Sequence, residues 1–174
     1  MKLLACPKCH QQLHLENKTL KCENNHCYDI SKRGYINLLL NPDKATNNPG
    51  DSKESLVARK AYLNKGYYDP ILNQVITCID EFKHQDDLSI LDLGCGEGYY
   101  TQGLKKHFEN SDIYGLDISK IAIDMATRYR KDVTWLVGNS KNIPILNHSL
   151  DFICALFTVV NKETKEHIKW EDYK

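Results

Sequence analysis

Ile90-Leu-Asp-Leu-Gly94-Cys-Gly96-Glu-Gly98 decides how the rest of this 174-residue chain is read. An apolar run enters three glycines at alternate positions, and a helical pattern follows over residues 99–108. The spacing predicts a buried strand over 88–93, then a tight loop that opens a helix. Glycines let the backbone turn sharply there and let a ligand approach the helix N-terminus. The next strand, 113–116, runs into Asp117, 19 residues after Gly98. A carboxylate at that place can accept both hydroxyls of a ribose.

The loop also discriminates between cofactors. A dinucleotide site wants G-x-G-x-x-G, whereas this chain has Gly94, Gly96 and Gly98, with Tyr99 where the wider spacing would place the last glycine. Asp92 stands just before the loop. It would repel a pyrophosphate and suits a ligand carrying a cationic amine and a sulfonium. The pattern favours S-adenosylmethionine over a nicotinamide dinucleotide. Asn139 follows a third strand, 133–137, where its amide faces adenine or serves the turn.

Outward from the loop, strands and helices alternate. Asp51 or Ser52 caps a helix running to about residue 65, with Gly66 as its stop. Asp69-Pro70 starts another, striped by Ile71, Leu72, Val75, Ile76, Ile79 and Phe82. Ser119 caps a helix after the second strand, and a fourth strand is expected over 150–157. This order predicts an α/β fold, a Rossmann-like sheet of about four parallel strands in the order 3-2-1-4. Cys78, Cys95 and Cys154 lie on or beside apolar elements and read as packing residues.

The first 36 residues have a different character. Cys6-Pro-Lys-Cys9 forms one knuckle, and Cys22 begins a second with His26 and Cys27. Zinc takes four such ligands in a tetrahedron. Cys6, Cys9 and Cys22 supply three, and the residues alone leave His26 and Cys27 as alternatives for the fourth. A segment with so few large apolar residues needs a metal to fold. Residues 41–52, NPDKATNNPGDS, read as a linker. The organisation expected is a ribbon over 1–36, linker and helices over 37–85, a partial cofactor domain over 86–161, and a polar tail over 162–174.

The formal charge is zero, which excludes a protein held to nucleic acid by bulk charge. The first 60 residues nevertheless carry a surplus of four cations, so a polyanion should meet that third of the chain. Pro7, Lys8 and His10 interrupt any leader-like core, and no apolar run approaches the ~18 residues of a membrane span. The expectation is a cytoplasmic protein with no membrane partner.

Several segments together resemble the bacterial 23S ribosomal RNA guanine-N1 methyltransferases, which include a macrolide-resistance branch. They are the ribbon, Lys32-Arg-Gly-Tyr-Ile-Asn-Leu38, Gly50-Asp-Ser52, Ala58-Arg59, Gly66-Tyr-Tyr-Asp-Pro70 and Leu91–Thr101. The resemblance implies zinc on Cys6, Cys9, Cys22 and His26. It also implies cofactor contacts from Tyr68, Gly96 and Glu97, and a 23S rRNA hairpin as partner, with a homodimer allowed. The implied reaction is methyl transfer to N1 of a guanine. The family continues past the fourth strand, where this chain turns to KETKEHIKWEDYK. The expectation is therefore a C-terminally truncated relative. The alternative is an impaired enzyme that retains zinc and RNA binding.

Overall fold

A computed structural model describes residues 1–40 and 50–157. Most of the expected linker, Val159, Val160 and the tail from 162 lie outside the described residues. The chain opens with a small antiparallel sheet in the order β1 (His14–Glu16), β2 (Thr19–Lys21), β3 (Cys27–Asp29). Then follow β4 (Ile36–Asn37), α1 (Lys53–Leu63), α2 (Asp69–Phe82), β5 (Ser89–Leu93), α3 (Tyr99–His107), β6 (Asp112–Asp117), α4 (Lys120–Ala126), β7 (Thr134–Val137) and β8 (Phe152–Cys154).

Local signals set the helix ends. Ser52 caps α1, its Oγ accepting from the Ser55 amide at 3.2 Å, and Gly66 takes a left-handed φ of 79° beyond the helix end. Pro70 sits in the first turn of α2, where its missing N–H is no loss. Ser119 caps α4 by accepting from the Ala122 amide at 3.2 Å.

The large sheet is wholly parallel in the order β4-β7-β6-β5-β8. Its last four strands keep the expected order. A fifth is added at the edge, where Ile36 pairs with Leu136 and Asn37 with Val137. A two-residue strand carries no periodicity to announce it. The fourth strand is also shorter than expected, three residues against the eight of 150–157.

Side chains along each strand alternate between two faces. Ile90, Ile113, Trp135 and Val137 point into a layer closed by Ile79 of α2, Leu104 of α3 and Ile123 and Ala126 of α4. Leu91, Leu93, Tyr114, Leu116 and Leu136 point to the opposite face. The ribbon closes that face, with Leu4, Cys6, Leu13, Leu20 and Cys22 packed in the same cluster. Backbone bonds seal the junction: the Ala5 amide donates to the Pro144 carbonyl at 3.0 Å, and the Leu146 amide to the Leu3 carbonyl at 2.8 Å. The zinc ribbon thus occupies a place that helices fill in a doubly wound sheet.

Cys95 is buried and Cys154 half-buried, but Cys78 is exposed on α2, against its reading as a packing residue. The stripe of α2 is wider than the layer beneath it, so its outer edge stays in solvent. Phe82 and Phe157 are likewise exposed, and an apolar groove of about 630 Å³ runs between α2 and β8. Among the described residues no helix is long and apolar enough to cross a membrane.

Candidate zinc and cofactor sites

The two knuckles present four ligand atoms from two tight turns. The His10 amide donates to the Cys6 carbonyl at 2.8 Å, and the Asn25 amide to the Cys22 carbonyl at 2.9 Å. His10 and Asn25 take left-handed φ values of 57° and 60°, which fold each turn back on its cysteine. The ligand atoms of Cys6, Cys9, Cys22 and His26 all lie within 4.8 Å of one another. Cys9 Sγ stands 3.7 Å from Cys22 Sγ, and His26 Nδ1 stands 3.4, 3.5 and 3.4 Å from the three sulfurs.

A zinc tetrahedron with its usual bond lengths has S–S edges of roughly 3.7 Å and S–N edges of roughly 3.5 Å. Those four edges match that spacing, and the set fits zinc. Cys27 does not join it: its exposed thiol donates to the Asn25 carbonyl at 3.4 Å. The Gln11 backbone amide, aided by His26, holds the Cys9 thiol down to about 6, toward the thiolate that zinc requires. The Tyr28 hydroxyl lies 3.3 Å from Cys6 Sγ, placed to donate to it as an outer-shell partner.

The cofactor loop follows β5 directly. Gly94 and Cys95 both donate their amides to the Leu116 carbonyl, at 2.8 and 3.0 Å, which ties the loop to the neighbouring strand. Gly98 caps α3 at φ 86°, and a Cβ there would come within 2.6 Å of the Trp135 ring. Gly96, at φ 56°, has no neighbour closer than the Arg59 guanidinium at 3.9 Å from an added Cβ, so its outer side is open.

Asp117 closes the loop from below. Its Oδ2 accepts from the Gly96 amide at 2.9 Å and its Oδ1 from the Ser119 amide at 2.7 Å. Each carboxylate oxygen has a second lone-pair direction, so both retain acceptor capacity for a diol. Burial raises its pKa, partly offset by those two amides. Glu97 is 2% exposed, and its Oε2 has no hydrogen-bond partner among the described residues. Burial raises its pKa as well, with Arg59 and Lys60 pulling the other way. A buried acceptor without a donor is one that a ligand can satisfy. This orphaned carboxylate beside the open face of Gly96 fits a nucleoside cofactor bearing a protonated amine.

Asp92 is 2% exposed, and its Oδ2 accepts from Thr101 Oγ1 at 2.6 Å. Burial pushes its pKa from 3.8 to about 6. Below about pH 4 the carboxyl is protonated in both folded and unfolded chains, and burial is nearly neutral. Between about pH 4 and 6 the unfolded chain ionises while the folded carboxyl holds its proton, so stability falls across that window and stays reduced above it. Asp92→Asn is therefore expected to raise stability at pH 7 by on the order of 2 kcal/mol and the melting temperature by several degrees. The same variant is expected to weaken the cofactor. Thermal melts at pH 4 and pH 7 check the sign, since the gain should vanish at the lower pH.

Tyr68 stands at the N-cap of α2. With Arg59, Tyr62, Leu63, Tyr100 and Phe157 it lines a cavity of about 240 Å³. The Tyr68 and Phe157 rings meet edge-on at 5.7 Å, and the buried Tyr100 hydroxyl has no partner among the described residues. Asn139 Oδ1 accepts from the Lys141 amide at 3.0 Å in the turn after β7. Arg59, Tyr100 and Phe157 were not singled out by spacing, because three separate segments bring them together.

Comparison with known proteins accords with this geometry. Residues 4–45 match the zinc-ribbon family described as RlmA, N-terminal, and residues 90–170 match a methyltransferase domain family. The chain is 32% identical over 129 residues to the 23S rRNA (guanine(748)-N(1))-methyltransferase of Streptomyces fradiae, covering 74% of this chain and 45% of that protein. It is 28% identical over 166 residues to YxjB of Bacillus subtilis (strain 168), provisionally named for guanine-N1 methylation of 23S rRNA, covering 91% and 57%. The crystal structure of Streptomyces venezuelae DesVI aligns with a TM-score of 0.51 at 19% identity, over 63% of this chain and 45% of that one, which speaks to fold alone. The chain spans about half the length of the curated relatives it matches. The chain therefore joins an RlmA-type zinc ribbon with a Cys3His cluster to an S-adenosylmethionine-dependent methyltransferase fold, similar over most of its length to the 23S rRNA guanine-N1 methyltransferases.

Proposed function

We propose that this chain holds S-adenosylmethionine on its glycine loop and directs its methyl group to N1 of a guanine in a 23S rRNA hairpin. The observation that carries the cofactor half is the orphaned Glu97 carboxylate beside the open Gly96, with Asp117 beneath them. The RNA half rests on similarity to the Streptomyces fradiae enzyme together with the ribbon. In this reading Cys6, Cys9, Cys22 and His26 hold zinc and residues 1–36 dock RNA. Residues 86–161 carry the cofactor, and the chain works in the cytoplasm.

Bound there, S-adenosylmethionine supplies an electrophilic methyl on a sulfonium. Asp117 accepts from the ribose hydroxyls. Gly96 offers backbone approach, and Glu97 and Asp92 face the cationic end. Asn139 lies toward the adenine. Tyr68 and Tyr100 wall the adjoining cavity, where an unstacked base finds flat apolar faces. Catalysis by such residues is chiefly positioning. Incubating the zinc-loaded chain with methyl-labelled S-adenosylmethionine and unmodified 23S rRNA is expected to label guanine at N1. A folded chain that binds both ligands and transfers no methyl group overturns this reading.

A further inference from the structure

On the rim opposite the cofactor loop, the ribbon and the sheet edge enclose a cleft of about 410 Å³. Its walls carry five cations and no carboxylate: Lys18, Lys32 and Arg33 come from the ribbon side, and Arg130 and Lys131 from the loop before β7. Trp135 forms part of the floor, and its Nε1 donates to the Arg130 carbonyl at 2.8 Å, which fixes that wall. Arg33 is paired with Asp124 at 2.7 Å and Arg130 with Asp132 at 2.7 Å. No ion pair among the described residues engages Lys18, Lys32 or Lys131, and all three are exposed. In a chain of zero net charge, this concentration is local.

We propose that the cleft seats successive phosphates of an RNA backbone, so that the ribbon and the methyltransferase domain grip one strand between them. Three lysines without an ion pair among the described residues, beside two arginines already held by Asp124 and Asp132, match a phosphodiester, and the concave form suits a strand better than a flat lipid surface. The cleft opens where β4 and β7 begin, whereas the glycine loop lies where β5 ends. At the usual rise per residue, the four residues of β7 separate those ends by on the order of 13 Å. An RNA stem bridges that gap and a mononucleotide does not. The inference rests on RNA being the substrate class and deepens that reading by naming where the backbone is held.

Backbone contact carries no base information, so a generic labelled RNA stem-loop of about 20 base pairs serves as the probe. Three chains are compared, all full-length and zinc-loaded: wild type, Lys18→Gln/Lys32→Gln/Lys131→Gln, and Lys53→Gln/Lys83→Gln/Lys106→Gln. The last set removes the same charge from positions that line no part of the cleft. Binding is measured between about 50 and 200 mM salt. The cleft variant is expected to bind at least tenfold more weakly, with a salt-dependence slope reduced by about 2 to 3. The control variant is expected to keep most of both. Equal losses in the two variants overturn the inference, as does a wild type that binds no stem. Cleft-dependent binding to phosphatidylserine vesicles without stem binding also overturns it and assigns the cleft to lipid. If methyl transfer fails while the cleft variant alone loses the stem, the cleft stands and the guanine-N1 reading falls. If transfer proceeds but the cleft variant keeps wild-type affinity, the reverse holds.

Discussion

Stripping zinc from this chain is expected to unfold the parallel sheet together with the ribbon. Cys6 and Cys22 are metal-site residues and also members of the apolar layer that covers one face of the sheet. Structural zinc supplies about 10–16 kcal/mol to zinc-finger folding, comparable to the whole stability of an ordinary domain. Without it, Leu4, Leu13 and Leu20 lose their frame, and Leu91, Leu93, Tyr114, Leu116 and Leu136 face water. Each such side chain contributes roughly 1.5–3 kcal/mol when buried, so the exposed face alone removes on the order of 10 kcal/mol. Far-UV circular dichroism during heating, with and without excess chelator, tests this. The expected outcome is one cooperative transition with zinc and none without. A sheet that melts unchanged in chelator would make the ribbon an independent appendage. Cys22→Ala is expected to behave like chelation. Cys27→Ser should keep one zinc per chain and a wild-type melt, because that thiol faces away from the cluster.

Asp117→Ala is expected to weaken S-adenosylmethionine by at least a hundredfold, about 2.7 kcal/mol. Two losses combine. The Gly96 and Ser119 amides lose their shared acceptor, so the loop no longer has a fixed floor. The ribose loses its carboxylate. Asp117→Asn should fall between, since one amide oxygen replaces two and the new NH2 opposes a backbone donor. Calorimetric titration of zinc-loaded protein reads the effect, and a parallel melt separates it from unfolding. Unchanged affinity in a folded Asp117→Ala chain would remove this residue from the ribose role.

Much of the site was legible because its signals are local. The glycine run follows a strand, Asp117 ends the next strand, and each metal knuckle closes within five residues. Ser52 and Ser119 are caps whose partners lie three residues away. What stayed hidden depends on distant segments. Ile36 and Asn37 become a strand only because Leu136 and Val137 offer an open edge. Cys78 is exposed because α2 overhangs its layer, which its helical stripe does not reveal. Spacing alone left His26 and Cys27 open as the fourth ligand, and the family resemblance named His26, which is the one in the cluster. The cavity of Arg59, Tyr100 and Phe157 and the basic cleft each draw on segments far apart in sequence. No window of the chain contains them.

The ribbon's place on the sheet face also sets a problem of timing during synthesis. All four zinc ligands lie within the first 26 residues, so the metal can close the ribbon as soon as it leaves the ribosome. The surface it must cover arrives much later, from Leu91 to Ile145. At about 5–20 residues per second, that interval lasts on the order of several seconds. Throughout it the nascent chain presents Leu4, Leu13 and Leu20 on a metal-stiffened scaffold with nothing to meet them.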